Sequence, residues 1–352
     1  MKITKLFKWL HRWLGLCLCL TVLSISLSGV LLVWKKEYLW LSLPDARENI
    51  IKDTESIAQT IEKISSNYAK NELLLIQIHS ENLSLHKAYI DQGKRAWFNQ
   101  HGEIVDQWSN NGRFEDWLVD LHHRLLLGNV GLNIAGFTGL LLLPMLLLGL
   151  IIWWPHRSSL KLGVLPTKLN DISKGELIMS HSNLGFITFI PILIICITGV
   201  ILTYPTQSRE FLVDPFSETD DYLLSEGPVD SLYGEAVTSW SQVFKRALDQ
   251  YPDATIRWVT PSSSFTPYRV IGLEQTSGWN RSGKTTIYID STEGYMDVNI
   301  NDLLRPKVER LYDFTYPIHT AKFGLWYRLL LSLIGLSLFI IALFGCKSFF
   351  KK

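Results

Sequence analysis

The stretch Leu121-His122-His123-Arg124, with the apolar run that continues to Trp153-Trp154-Pro155, decides the fold of this chain. The run is longer than the roughly 20 residues that a helix needs to cross a bilayer. A histidine stands at its leading edge, and glycines follow at positions 128, 139 and 149. A membrane helix has little local use for a histidine there, whereas a metal cofactor held between helices needs one.

Two constant offsets relate this run to three others. An offset of 196 residues relates His123, Gly128, Gly139 and Gly149 to His319, Gly324, Gly335 and Gly345. An offset of 170 residues relates His11, Gly15, Gly29 and Val30 to His181, Gly185, Gly199 and Val200. The pattern indicates a tandem duplication in which each half is a span, a polar region and a second span.

Composition favours the membrane class and leaves room for polar domains. Hydrophobic residues make up 47% of the 352 residues, and the mean hydropathy is +0.13. The net charge of +1 argues against a nucleic-acid partner. All four cysteines lie in apolar runs, so we expect no disulfide framework, and no CxxCH motif for covalent haem attachment is present.

We predict four transmembrane helices, at about residues 13–34, 125–154, 184–204 and 325–346. The first apolar run is too long for a signal peptide and is interpreted as a retained anchor. Basic residues precede the first span, fill the short second connection and follow the last span. Positive charge marks the cytoplasmic side, although Lys35 and Lys36 weigh slightly against it. Both termini are therefore expected inside, and the two long polar regions outside.

The two polar regions share one order of elements. Residues 53–69 and 236–250 have helical periodicity, and each is followed by four short strand-like runs. The fold class is an α-helical membrane protein with four transmembrane helices and two small α+β domains. The expected divisions are 1–40, 41–117 (first outer domain), 118–155, 156–180 (cytoplasmic loop), 181–204, 205–315 (second outer domain) and 316–352.

Several motifs resemble a known family. TIYIDSTEGYMDV at 286–298 resembles the end of a PepSY domain. WLHRWLG at 9–15, LHHRLLLG at 121–128, HSNLG at 181–185 and YPIHT at 316–320 resemble the PepSY-associated transmembrane family. The resemblance implies an iron-regulated inner-membrane protein similar to siderophore reductases of the FoxB type, which hold two b-type haems between four helices. The family more often has arginine where Ser182 follows His181, so a haem propionate contact is not expected there.

The predicted topology sorts the histidines by membrane face. His11 and His181 begin spans at the cytoplasmic face, and His123 and His319 begin spans at the outer face. Two imidazoles can bind one haem iron from opposite sides, so the four predict one haem b near each face. Zinc fits less well because it usually takes three or four protein ligands. A proton relay remains an alternative.

Three further choices stay open from the residues alone. His122 competes with His123, and the glycine spacing favours His123. Arg12 and Arg124 directly follow ligand histidines and are candidates for contacts with haem propionates, or they simply extend to the membrane interface. The glycines about one helical turn from their histidines either leave room for a porphyrin or let helices pack closely; they are Gly15, Gly128, Gly185 and Gly324.

Two haems across a membrane would carry single electrons. The chain has no nicotinamide or flavin motif, so a cytoplasmic reductase or a membrane quinol is the expected electron donor. The resemblance names a ferric siderophore outside as the acceptor, with release of Fe(II), and tryptophans such as Trp97, Trp240 and Trp279 are candidates to hold it. The alternatives are a different periplasmic acceptor and a binding or regulatory membrane protein without redox activity.

Overall fold

The structure is a computed structural model that describes residues 2–79, 83–166, 172–216, 239–265, 267–275, 283–292 and 296–351. It divides into two compact units. The helical unit comprises Met1–Lys35, Phe114–Glu210 and Thr315–Lys352, and the sheet unit comprises Lys36–Arg113 and Phe211–Phe314. Each unit therefore takes segments from both halves of the duplicated sequence.

Helices and strands alternate between the units along the chain. In order they are α1 (Lys2–Val33), α2 (Lys35–Ser42), α3 (Thr54–Ser66), β1 (Leu73–Gln77), β2 (His86–Ile90), β3 (Arg95–Phe98), β4 (Ile104–Trp108), α4 (Phe114–Arg124), α5 (Gly128–Trp153), α6 (Lys174–Ile187), α7 (Phe189–Thr203), α8 (Pro205–Leu212), α9 (Trp240–Gln250), β5 (Thr255–Thr260), β6 (Tyr268–Glu274), β7 (Thr285–Asp290), β8 (Met296–Ile300), α10 (Lys307–Asp313), α11 (Thr315–His319) and α12 (Leu325–Phe350).

The helical unit has the length and apolarity of a membrane-embedded bundle. Within the described residues, three stretches can each cross a bilayer as one helix: Ile3–Val33, Gly128–Leu162 and Leu325–Phe350. The expected third span is not a single straight helix. It is divided into α6 and α7, which meet at a bend of 71° beside Thr188, so the unit has four spans only if this bent pair counts as one.

Two of the repeated glycines lie where two helices approach each other closely. A Cβ atom added to Gly335 on α12 would lie 2.5 Å from Val30 of α1, and one added to Gly139 on α5 would lie 2.8 Å from Val200 of α7. Val30 and Val200 are themselves repeat partners, so both halves use the same small-residue contact. Close packing between helices is therefore the role of these two glycines.

The sheet unit is built on one antiparallel sheet of eight strands among the described residues, in the order β4-β3-β2-β1-β5-β6-β7-β8. The sequence predicts two separate four-stranded domains, but β1 pairs with β5, with Ile76 opposite Val259, and joins the two meanders edge to edge. Unpaired edge strands favour such pairing because their backbone N–H and C=O groups lack partners.

The core of the sheet unit lies between one face of this sheet and the two predicted amphipathic helices. Ile61 and Ile64 of α3 and Phe244 of α9 are fully buried in one cluster with Ile76 and Val259. Trp240 at the start of α9 donates through Nε1 to Ser65 of α3 at 3.3 Å, which ties the two helices together. Strand and helix positions therefore agree closely with the sequence prediction, and the structure adds that the two meanders share one sheet.

Candidate functional site

Four histidines of the helical unit form two pairs. The rings of His11 and His181 have centres 5.9 Å apart with an interplanar angle of 76°. The rings of His122 and His319 have centres 6.2 Å apart at 48°. We call His11 and His181 the first pair, and His122 and His319 the second pair.

The two pairs lie toward opposite ends of α1. His11 is near the start of this helix, and His122 contacts Gly29 near its end. Eighteen residues separate positions 11 and 29, which corresponds to roughly 27 Å along a helix. This is comparable to the hydrocarbon thickness of a bilayer, about 30 Å.

The four rings share one hydrogen-bond arrangement. Nδ1 of His11 lies 3.2 Å from the carbonyl oxygen of Met145, Nδ1 of His122 lies 3.0 Å from that of Ile25, and Nδ1 of His181 lies 2.8 Å from that of Ile341. His319 bonds in the same way to the backbone of Ile195. Because a carbonyl oxygen only accepts, each Nδ1 must carry the proton and donate it.

This arrangement leaves Nε2 of each ring as the unprotonated nitrogen. Among the described residues, none of the four Nε2 atoms has a hydrogen-bond partner. A neutral imidazole whose Nδ1–H is fixed by a carbonyl, with Nε2 free, is the form in which histidine usually binds a metal. The protein scaffold thus presents four imidazoles ready to act as ligands.

A glycine lies beneath each ring, four residues after the bonded carbonyl. Added Cβ atoms would approach Cε1 of the ring at 3.0–3.1 Å, which is tighter than an ordinary contact. The pairs of ring and glycine are His11 with Gly149, His122 with Gly29, His181 with Gly345, and His319 with Gly199. A side chain at any of these glycines would push the ring away from the carbonyl that orients it.

These four glycines and four carbonyls explain why the glycines recur at constant offsets in the sequence. Gly29 and Gly199 are repeat partners, as are Gly149 and Gly345. Each therefore serves a histidine on a different helix, not the histidine at the head of its own span. The carbonyls of Ile25, Met145, Ile195 and Ile341 were not identified by sequence reasoning, although their constant position before a repeated glycine could have indicated them.

The structure places His122, and not His123, in this shared geometry. The His123 side chain is exposed, and its ring centre is 5.6 Å from that of His122. The glycine spacing had favoured His123 because the repeat aligns it with His319. The chain turns sharply just after α4, with positive φ at Leu125, Leu126 and Gly128. The residues before this turn therefore do not continue the helical spacing of α5.

The glycines near the histidines in sequence have other roles. Gly128 and Gly324 have φ of +59° and +97°, a left-handed backbone that glycine adopts most easily, and they begin α5 and α12. No described atom lies within 4 Å of a Cβ added to Gly185, and one added to Gly15 would make ordinary contact with Met145. Open space beside Gly185 is compatible with a wide, flat cofactor.

The distance within each pair fits a shared metal ion. Two imidazoles bound on opposite sides of one metal, at about 2.0–2.1 Å from each nitrogen, have ring centres about 6 Å apart. Both observed separations agree with that value. No group of three or more His, Cys, Asp or Glu side chains suited to a metal is present in the described part of the chain. Two ligands per site suit a haem iron, whose other ligands come from the porphyrin.

The arginines proposed as propionate partners are at the surface of the helical unit. The guanidinium of Arg12 lies 4.3 Å from the centre of the Phe349 ring, and Arg124 is exposed. Arg328, four residues after Gly324, donates to the carbonyl of Val33 at 2.9 Å and stacks over Trp34 at 4.6 Å. The contact with α1 gives Arg328 a structural function, and the role of Arg12 and Arg124 stays a prediction.

Candidate ligand-binding residues of the sheet unit are mostly in its interior. Trp97, Trp108 and Trp240 are 1–8% exposed and belong to hydrophobic clusters. His86 is buried and His101 lies at an exposed turn. Trp279 is outside the described residues. The tryptophans therefore mainly stabilise the sheet unit.

Comparison with known protein families agrees with this architecture. A model of the PepSY-associated TM region matches residues 8–352 of the chain. No curated protein matches the sequence. The match extends over both units and all four histidines, and it supports the classification as a membrane protein. The chain therefore belongs to the PepSY-associated TM region family.

Proposed function

We propose that the protein is a transmembrane electron-transfer protein that binds two b-type haems and reduces a ferric siderophore, or a similar ferric chelate, on the outer side of the inner membrane. The observation that carries the proposal is that four histidines share one hydrogen-bond geometry and form two pairs. Within each pair the ring centres are about 6 Å apart. His11 and His181 would hold one haem, and His122 and His319 the other.

The repeat favours a metal cofactor over a purely structural role. A histidine that only packs in a core has no need of a fixed tautomer or of a second histidine facing it. Here four independent helix contacts each direct Nδ1–H to a carbonyl and leave Nε2 open. A hydrogen bond from the ring nitrogen that does not bind the metal orients a histidine ligand and raises its basicity.

The proposed direction of electron flow follows from the positive charges of the sequence. With both termini cytoplasmic, the first pair lies toward the cytoplasm and the second pair toward the outer side. Bound haems would supply one-electron transfer. A cytoplasmic reductase or a membrane quinol would deliver electrons at the first pair, since no nicotinamide or flavin motif is found in the sequence.

The chemistry of the acceptor is consistent with reductive iron release. Siderophore oxygens are hard donors that suit Fe(III), and they bind Fe(II) less tightly. Each electron delivered converts one Fe(III) to Fe(II), so one siderophore complex consumes one electron. The family resemblance is the support for a siderophore in particular.

The experiment is haem analysis of the purified full-length protein and its histidine variants. We expect two haems per chain with a b-type absorption spectrum. His11→Ala and His181→Ala should each leave one haem, as should His122→Ala and His319→Ala, whereas His123→Ala should retain both. A protein that stays colourless after growth with haem precursor would overturn the proposal and favour a binding or regulatory role.

The acceptor needs a separate measurement. The protein is reduced with dithionite and mixed without oxygen with a ferric hydroxamate siderophore in a stopped-flow instrument. Reoxidation of the haem absorbance, with trapping of Fe(II) by a ferrous chelator, supports siderophore reduction. A reduced protein that stays reduced with siderophores but is oxidised by another electron acceptor would point to that acceptor instead.

A further inference from the structure

The second pair differs from the first pair by two hydroxyl groups. Oγ of Ser28 lies 3.1 Å from Nδ1 of His122, and Oγ1 of Thr198 lies 3.0 Å from Nδ1 of His319. Both residues come three positions after the carbonyl that the same ring contacts. At the equivalent positions for the first pair the chain has Leu148 and Phe344, whose side chains cannot accept a hydrogen bond.

Each hydroxyl donates its own hydrogen elsewhere. Ser28 Oγ donates to the carbonyl of Ser24 at 2.6 Å, and Thr198 Oγ1 donates to that of Ile194 at 2.9 Å. The hydroxyl oxygen is therefore available only as an acceptor toward the ring N–H, and donation to a carbonyl strengthens it in that role. Ser28 and Thr198 are 1% and 6% exposed, so bulk water does not compete for these contacts.

The Nδ1 proton of each histidine in the second pair is thus shared between two oxygens, and in the first pair it goes to one. Acceptors on Nδ1–H shift electron density onto the ring and make Nε2 a more basic ligand. A more basic histidine ligand stabilises ferric over ferrous iron, and hydrogen bonds to the ligand are one of the means by which proteins set reduction potentials.

We infer that Ser28 and Thr198 are positioning residues that lower the reduction potential of the cofactor held by the second pair. This inference rests on the proposed function. A low potential at this end makes the protein a stronger reductant toward an external ferric complex. A membrane potential that is negative inside favours outward movement of the electron to that centre.

The test isolates each pair so that a potential can be assigned to it. In full-length His181→Ala protein only the second pair can hold a haem, and its midpoint potential is measured by spectroelectrochemical titration. We expect Ser28→Ala and Thr198→Val each to shift the midpoint in the positive direction, with a larger shift for the double variant. Thr198→Ser keeps the hydroxyl and should keep the original potential.

Two controls separate a local effect of the hydroxyl from a general loss of packing. Ser26 and Thr203 lie on the same helices and bond to Val22 and Gly199 carbonyls at 2.6 and 2.8 Å, without a histidine contact. Ser26→Ala and Thr203→Val should leave the midpoint unchanged. Equal shifts in control and test variants, or no shift in either, would overturn the inference.

The reverse change adds a hydroxyl where the first pair lacks one. In His122→Ala protein, which keeps only the first pair, Leu148→Ser should shift the midpoint in the negative direction. A background protein that binds no haem contradicts the proposed function itself. Haem that binds with unshifted potentials contradicts only this inference. Loss of haem in Ser28→Ala but not in Ser26→Ala also contradicts only this inference, because the hydroxyl would then hold the ring in place without changing the potential.

Discussion

At the scale of single residues, the candidate site depends on pairs of a histidine and a glycine from different helices. The carbonyl that accepts the Nδ1 proton is exposed to the ring only because the residue four positions later has no side chain. A helix places residues four apart on one face, so carbonyl and glycine form a shallow seat for the imidazole edge. The seat is the same in all four cases.

We predict that Gly149→Ala disturbs the His11 site selectively. The new Cβ would lie 3.1 Å from Cε1 of His11, and overpacking of this kind costs typically about 1–3 kcal/mol. The ring should move off the Met145 carbonyl, and the haem content should fall from two to about one per chain.

The matched control is Gly175→Ala, because Gly175 is exposed and its added Cβ would lie no closer than 4.0 Å to any described atom outside the backbone of its own helix. This variant should have normal haem content in the same pyridine haemochrome assay, provided that its helix is intact by circular dichroism. Equal haem content in the Gly149 and Gly175 variants would mean that the glycines beneath the rings do not help to hold the ligands.

At the scale of elements, the edge pairing of β1 with β5 makes one sheet out of two meanders. Each meander follows an amphipathic helix, and α3 and α9 contact each other across the same face. The fully buried residues at the junction are Ile76 and Val259, which lie opposite each other. The junction therefore belongs to the hydrophobic core of the unit and is not a loose contact.

Truncation at this junction tests its contribution. Ile76→Ala should lower the free energy of unfolding of the sheet unit by about 2–5 kcal/mol, since it deletes methylene groups at a site with 0% exposure. Leu74→Ala in the same strand is the control, because Leu74 is 50% exposed. Its truncation should lower the free energy of unfolding far less. Urea denaturation, followed by tryptophan fluorescence, measures the free energy of unfolding of both variants. Equal decreases in the two variants would contradict a shared core.

At the scale of the whole molecule, the duplicated sequence supplies each unit with two equivalent halves. In the helical unit the halves exchange the Val30–Gly335 and Val200–Gly139 contacts, and each histidine pair combines one residue from each half. In the sheet unit the halves share one sheet. Neither histidine pair can therefore form from one half alone.

The sheet unit should lose stability in mild acid. Burial, with the neighbouring His79 adding to it, lowers the pKa of His86 to about 3; burial and the charge of Arg257 lower the pKa of His79 to about 4. The unfolded chain takes up these protons near pH 6.5, so stability falls as pH falls below that value. The slope is at most about 1.4 kcal/mol per pH unit for each histidine, and it ends near the folded pKa values.

Denaturation midpoints of the full-length protein at pH 7.5, 6 and 5 measure this loss. His86→Gln removes one of the two groups and should reduce the slope, whereas His101→Gln, at an exposed turn, should keep it. An unchanged slope in His86→Gln would show that acid acts on other groups.

The sequence by itself determined the class of protein, the duplication, nearly every strand and helix of the sheet unit, and three of the four paired histidines. Period-2 and period-3.6 patterns are local signals, and the constant offsets of 170 and 196 residues need no structure to be seen. Only the tertiary structure decided that the two meanders form one sheet, that the third apolar segment bends by 71°, and that His122 faces His319. Each of these depends on contacts between residues far apart in the chain, or on backbone turns such as that after α4, which local periodicity does not encode.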